Sequence, residues 1–214
     1  MNKPHRELAV LRLREALPPW SVEHLDPALA GDLHAAASLV YATPNALRGD
    51  LACILHRVRA PRDAFRVVLP EVWDHDHAEL VAAAGHRRTL EAMFRYAAFT
   101  PPDWVPAMVR VWRGTDGMSL SAAKRGLSWT LDRDLACWFA TRYSRRFKPA
   151  GSVTAGPLVL VAEVPRERVA LFWDGRNERE CVIFDVPEAA IDGDPDEWVE
   201  AGERKSEAMH AEDR

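Results

Sequence analysis

Apolar and polar positions follow two rhythms along this chain, and the change between them falls near residue 100. Leu8, Leu11, Leu13 and Leu17 lie on one broad helical stripe that Pro18-Pro19 stops. An alanine- and leucine-rich stretch from Pro27 to Tyr41 predicts a second helix. A third follows Thr43-Pro44-Asn45, with Thr43 as its cap and Pro44 in its first turn. Asp76 or His77 opens another, which runs through Leu80, Val81 and Ala84 to Gly85. The helical pattern then continues from Thr89 to Ala98. There is no internal repeat and no low-complexity run.

At Thr100-Pro101-Pro102 the pattern changes. Val109-Arg110-Val111-Trp112-Arg113 alternates apolar and polar, as a half-buried strand does. Leu127 to Leu131 is a short extended run, and Asp132 is placed to cap a helix through Leu135, Ala136, Trp138 and Phe139. Residues 144–157 are rich in turn formers and predict a loop. Leu158 to Val164 and Glu180 to Phe184 read as strands. The expected class is therefore α+β, with helices over 1–100, a sheet-bearing core over 101–190, and an acidic, partly mobile tail over 191–214.

Composition narrows the functions. With 48% hydrophobic residues in 214, the chain has enough apolar surface for a buried core. The formal net charge is −4, which argues against a generally basic nucleic-acid-binding surface. The charge is uneven. Residues 1–100 balance at 12 basic and 12 acidic, residues 101–187 hold 13 against 10, and residues 188–214 hold 3 against 10. A mildly basic middle keeps a polyanionic partner in play. Cys53, Cys137 and Cys181 are scattered without CxxC spacing. With no apolar leader after Met1 and no membrane-length apolar run, they point to a soluble, cytoplasmic protein.

The candidate chemistry lies in three stretches of the second half. A strand ends in Trp112-Arg113-Gly114. A later one carries Ser128-Trp129-Thr130 and leads to Trp138-Phe139-Ala140. A loop, Trp173-Asp174-Gly175-Arg176-Asn177, precedes Glu178-Arg179-Glu180 and the apolar Cys181 to Phe184. In this order the motifs resemble the ADP-ribosyltransferases of the arginine, Ser-x-Thr, Glu-x-Glu class, which include clostridial-type toxins and bacterial and phage relatives. The resemblance covers about the C-terminal half.

It implies a split, mixed β-sheet core and the transfer of ADP-ribose from NAD+ to a macromolecular acceptor. The favoured acceptor is a protein arginine; the alternatives are a nucleic acid, plain NAD+ hydrolysis, and an inactive binding module of the same fold. A role in conflict between bacteria and phages, with an antitoxin or regulatory partner, is implied in the same way. Glu180 would steady the cationic ribose transition state, as carboxylates do in glycoside hydrolysis. Glu178, two residues earlier on the same strand face, would act on the acceptor. Ser128 would support Glu180. Arg113 would hold phosphate or ribose oxygens, with Gly114 letting the backbone approach the ligand. Trp129, Thr130, Phe139 and Arg142 complete the expected NAD+ pocket, with the Trp129 ring turned toward the core. Trp173 and Asn177 are the expected acceptor contacts.

Several features bear on rival readings. No histidine occurs between residues 87 and 209, which excludes the histidine-dependent transferase class and a Ser-His-Asp hydrolase confined to this half. There is no phosphate-binding loop and no GxGxxG turn. Trp73-Asp74-His75-Asp76-His77 looks like a metal site, but without a clear third ligand it reads as a solvent-exposed loop that caps a helix, so no metal is expected.

Overall fold

The computed structural model describes residues 3–142, 156–175, 178–186 and 188–212. The chain divides into two compact units, Met1–Phe99 and Thr100–Arg214. The class is α+β, with helices alone in the first unit and a six-stranded sheet with helices in the second. Among the described residues, no helix is long and apolar enough to cross a membrane.

The first unit contains α1 (Lys3–Ala16), α2 (Pro19–Ala30), α3 (Leu33–Ala42), α4 (Asn45–Arg57), α5 (Arg62–Ala84) and α6 (Arg87–Ala97). The helix expected over Pro27 to Tyr41 is in fact two. Gly31 takes a left-handed φ of 102° and ends α2, and the Asp32 carboxylate accepts the Ala35 N–H to start α3. Thr43 ends α3 rather than capping α4, because its hydroxyl donates back to the Leu39 carbonyl. The leucine stripe of α1 is buried only at its C-terminal end: Leu13 and Leu17 are inside, while Leu8 and Leu11 are 45% and 50% exposed.

The segment Trp73 to His77 is not an exposed loop. It lies inside α5, with Asp74 and Asp76 buried. The helix kinks at Asp76 (φ −134°, ψ 38°), whose carboxylate pairs with Arg48 at 2.8 Å. The same guanidinium donates to the carbonyls of Val40 and Thr43, so a local break in one helix is tied to the end of another.

The second unit runs β1 (Met108–Asp116), α7 (Leu120–Lys124), β2 (Ser128–Thr130), α8 (Arg133–Thr141), β3 (Pro157–Pro165), β4 (Val169–Trp173), β5 (Glu180–Ile183), β6 (Ala190–Ile191) and α9 (Pro195–Glu212). The strand order is β4-β5-β2-β1-β3-β6, and every neighbouring pair is antiparallel. This corrects the expected mixed sheet. β2 and β3 run the same way, but β1 lies between them and no parallel neighbours result.

One face of the sheet packs Val109, Val111, Trp129, Leu160, Cys181 and Ile183 into a core. Against the other face, α8 supplies Ala136 and Ala140, joined by Val159. The acidic tail is a second correction. Its residues form α9, which buries Trp198 and Ala201 with α8. Charge density at its exposed positions had concealed a short apolar stripe. Most of the expected 144–157 loop lies outside the described residues, and Pro157 already belongs to β3.

Candidate active site

The site forms where the sheet is narrowest. β1 and β2 pair only at Trp112 opposite Thr130. A continuing ladder would set Gly114 opposite Ser128. Instead the Arg113 side chain fills the opening, and its Nη1 donates to the Ser128 carbonyl at 2.6 Å. A side chain thus satisfies a carbonyl where the backbone ladder stops.

A cleft of about 140 Å³ opens at this point, lined by Trp112, Arg113, Gly114, Ser128, Trp129, Thr130, Leu135, Phe139, Glu178 and Glu180. Nine of these ten residues belong to the sequence motifs, and eight of them have an expected role in the site. Trp112 and Leu135 were not anticipated. In the sequence Trp112 is only part of the strand end, and Leu135 only a position in the Asp132-capped helix.

Three strands set the carboxylates. Glu180 begins β5, is 6% exposed, and faces Thr130 on one side and Trp173 on the other in direct cross-strand register. Ser128 pairs with Val182, so it lies diagonally from Glu180 on the same face. Glu178 reaches the cleft by a different route from the one expected. Arg179 adopts a left-handed φ of 45°, so 178–180 is not a regular strand. What holds Glu178 is Thr130, whose hydroxyl donates to the Glu178 carbonyl at 2.6 Å and accepts the Asp132 N–H at 3.1 Å. That hydroxyl proton is committed to the backbone, which makes Thr130 a brace for the glutamate segment more than a ligand contact.

Arg113 is the cation of the cleft. Burial pushes its pKa down, and the Glu180 carboxylate opposes the shift, but an arginine remains charged. Its Nε is buried without a hydrogen-bond partner among the described residues. The guanidinium therefore keeps unused hydrogen-bonding capacity in a residue that lines the cleft.

Two glycines position this arginine and its helix. A Cβ on Gly126 would sit 2.1 Å from the Arg113 Cζ, so the absence of a side chain there gives the guanidinium its place. Gly114, expected to let the backbone approach the ligand, lines the cleft, and the close approach its missing side chain permits is that of α8. A Cβ there would lie 1.6 Å from the Ala136 carbonyl oxygen. Gly126 had no signal in the sequence beyond its position before a strand.

The remaining candidates fall around the cleft. Trp129 is 1% exposed and donates to the Gly126 carbonyl, with its ring in the core as alternation implied. Arg142 does not line the cleft; its guanidinium stacks at 4.5 Å on both Trp138 and the cleft residue Phe139. Trp173 is the last residue of β4 rather than part of a loop, and it does not line the cleft either. Its indole is covered by the turn at Gly175, where a Cβ would come within 2.3 Å of Nε1. Asn177 lies outside the described residues. Among the described residues, no group of three or more His, Cys, Asp or Glu side chains is arranged to hold a metal.

The assembled groups offer one cation for phosphate or hydroxyl oxygens, two carboxylates, hydroxyls from β2, and the ring of Phe139. Comparison with protein-family models, curated proteins and solved structures returned no match to this chain.

Proposed function

We propose that this chain is a mono-ADP-ribosyltransferase that takes NAD+ as donor, and that its second unit is a sheet core of the ADP-ribosyltransferase type. The observation that carries this reading is convergence. Arg113, Ser128 with Thr130, and Glu178 with Glu180 come from three separate stretches and meet in one cleft. The narrow joint between β1 and β2, which divides the sheet into two three-strand halves, supports the split-sheet comparison.

In this reaction the bond between nicotinamide and ribose breaks, and nicotinamide leaves as a neutral base. Positive charge develops on the ribose. Glu180, nearly buried at the start of β5, would hydrogen-bond the ribose 2-hydroxyl, and that bond strengthens as the charge grows. The Arg113 guanidinium, which lines the cleft, takes a phosphate or ribose oxygen. The acceptor attacks the ribose carbon, and its proton passes to Glu178.

A lysate incubated with labelled NAD+ and the protein, then digested in parallel with protease or nuclease, tests the reading. Label released by protease supports a protein acceptor. Label that survives protease and not nuclease moves the acceptor to nucleic acid. Nicotinamide release without labelled macromolecule makes the enzyme an NAD+ hydrolase, and no turnover of NAD+ overturns the reading.

A further inference from the structure

The helical unit carries a second concavity that the transferase reading leaves unused. It is an open groove of about 520 Å³, and its lining includes Arg6, Cys53, His56, Arg57, Arg59 and Thr89. The three arginines come from α1, from the last turn of α4 and from the turn after it. No carboxylate lines the groove. Among the described residues, no carboxylate forms an ion pair with Arg6, Arg57 or Arg59, while most other cations of the unit have one.

Arg59 is held in place at a conformational cost. It occupies the left-handed region (φ 55°) just past α4, where the N–H of Arg59 bonds to the His56 carbonyl and that of Ala60 to the Leu55 carbonyl. Glycine is the relaxed residue for such a helix end. An arginine retained there points to a use for its side chain. The guanidinium is preorganised, stacking 4.8 Å from the centre of the Tyr96 ring, whose hydroxyl is anchored on the Ala60 carbonyl.

The apolar wall of the groove adds a different group. Burial first, then the neighbouring Arg59, pushes the His56 pKa down, so its imidazole is neutral; one ring nitrogen engages the Ala92 carbonyl. The other, Nε2, is buried without a partner among the described residues and is an acceptor. Cys53 is pushed up to about 11 by burial and adds no negative charge. Guanidinium donors beside an unfilled acceptor suit a ligand that carries both an anionic phosphoryl group and a hydroxyl.

We infer that this groove binds a small phosphate monoester of a sugar or nucleoside, its phosphoryl group on Arg57 and Arg59 with Arg6 at the rim. The inference is independent of the transferase chemistry. Calorimetric titration of the full chain at low salt with ribose 5-phosphate and with adenosine monophosphate tests it, with ribose as the neutral control. Both phosphates should bind and ribose should not. Adenosine monophosphate binding more tightly would identify a nucleoside as the preferred source, and equal affinities a sugar phosphate.

Two variants separate the groove from mere structure. Arg59→Gly relaxes the backbone, so it should keep or raise Tm while weakening phosphate binding about tenfold. Arg57→Ala should weaken it by a similar factor. Arg113→Ala, which alters the proposed transferase cleft, should leave this binding in place. The inference is overturned if neither phosphate binds, if ribose binds as well, if Arg59→Gly and Arg57→Ala bind like wild type, or if Arg113→Ala abolishes the binding.

Discussion

At the scale of single residues, the cleft depends on groups whose alternatives are excluded by contact. Gly126 is the clearest. Its missing Cβ is filled by the Arg113 guanidinium, the far end of a flexible side chain. Gly126→Ala should therefore move Arg113 without unfolding the unit. We expect a rise in KM for NAD+ of about tenfold, with Tm within about 2 °C of wild type. A loss of stability with unchanged KM would show that the contact is only structural. The three thiols give a second test. Burial pushes Cys181 up to about 12, and Cys53 and Cys137 up to about 11, so all three stay protonated at neutral pH. Alkylation of the native protein at pH 8 should be at least ~100-fold slower than that of free cysteine, and should recover on denaturation.

The legible residues were those whose chemistry is carried by type and order. Arg113, Ser128, Glu178 and Glu180 could be read because a cation, a hydroxyl and paired carboxylates flank strands in sequence. Gly126, Trp112 and the bracing role of Thr130 were not legible, because each depends on tertiary contacts that no spacing encodes. Glu178 lines the cleft, but not through the strand alternation the sequence suggests: a left-handed Arg179 and a Thr130 hydrogen bond hold the segment.

At the scale of elements, α8 is the part on which the cleft rests. Asp132 caps it through the Leu135 N–H and also pairs with Lys205 of α9 at 2.8 Å. Burial disfavours the charged carboxylate, but Lys205 and the backbone N–H groups outweigh it and hold Asp132 below its usual range. A carboxyl with a depressed folded pKa stabilises above its unfolded value and loses that contribution as pH falls through the folded one. Asp132→Ala should thus cost about 1–2 kcal/mol at pH 7, and the difference from wild type should shrink below about pH 4. Urea unfolding at pH 7 and pH 3 measures both. Gly114→Ala is the harsher change, since the added methyl meets the α8 backbone and not a mobile side chain. It should cost about 2 kcal/mol or more, read as a lower denaturation midpoint.

Strands with clear alternation and the Asp132-capped helix were visible in advance. β4 was not, because Val169 to Trp173 is short and its last residue, Trp173, reads as the start of a loop. The division of the second helix at Gly31-Asp32 was signalled by a glycine followed by a capping residue, yet the apolar periodicity on either side masked it. In α5, Pro70 and the kink at Asp76 interrupt a helix that the sequence pattern had started only at residue 76.

At the scale of the molecule, the switch in patterning at Thr100-Pro101-Pro102 falls at the division into two units. The strand order was not legible, because pairing such as that of β2 with β5 joins segments far apart in sequence and leaves no local pattern. The helical unit gave no functional signal in its sequence; its arginine-lined groove appears only when α1, α4 and the turn after α4 come together. In the second unit, the acidic tail reads as solvent-facing charge by composition, and in the structure it is the helix that buttresses α8.

The most direct measurement is nicotinamide release from NAD+ by the purified chain, comparing wild type with Glu180→Gln at equal Tm. The substitution keeps the volume and removes the charge that would meet the ribose cation. Wild type should release nicotinamide, and Glu180→Gln should do so about 10²–10³ times more slowly. Release by Glu180→Gln at the wild-type rate, or none by the wild-type protein, would contradict the assignment of this cleft to NAD+ cleavage.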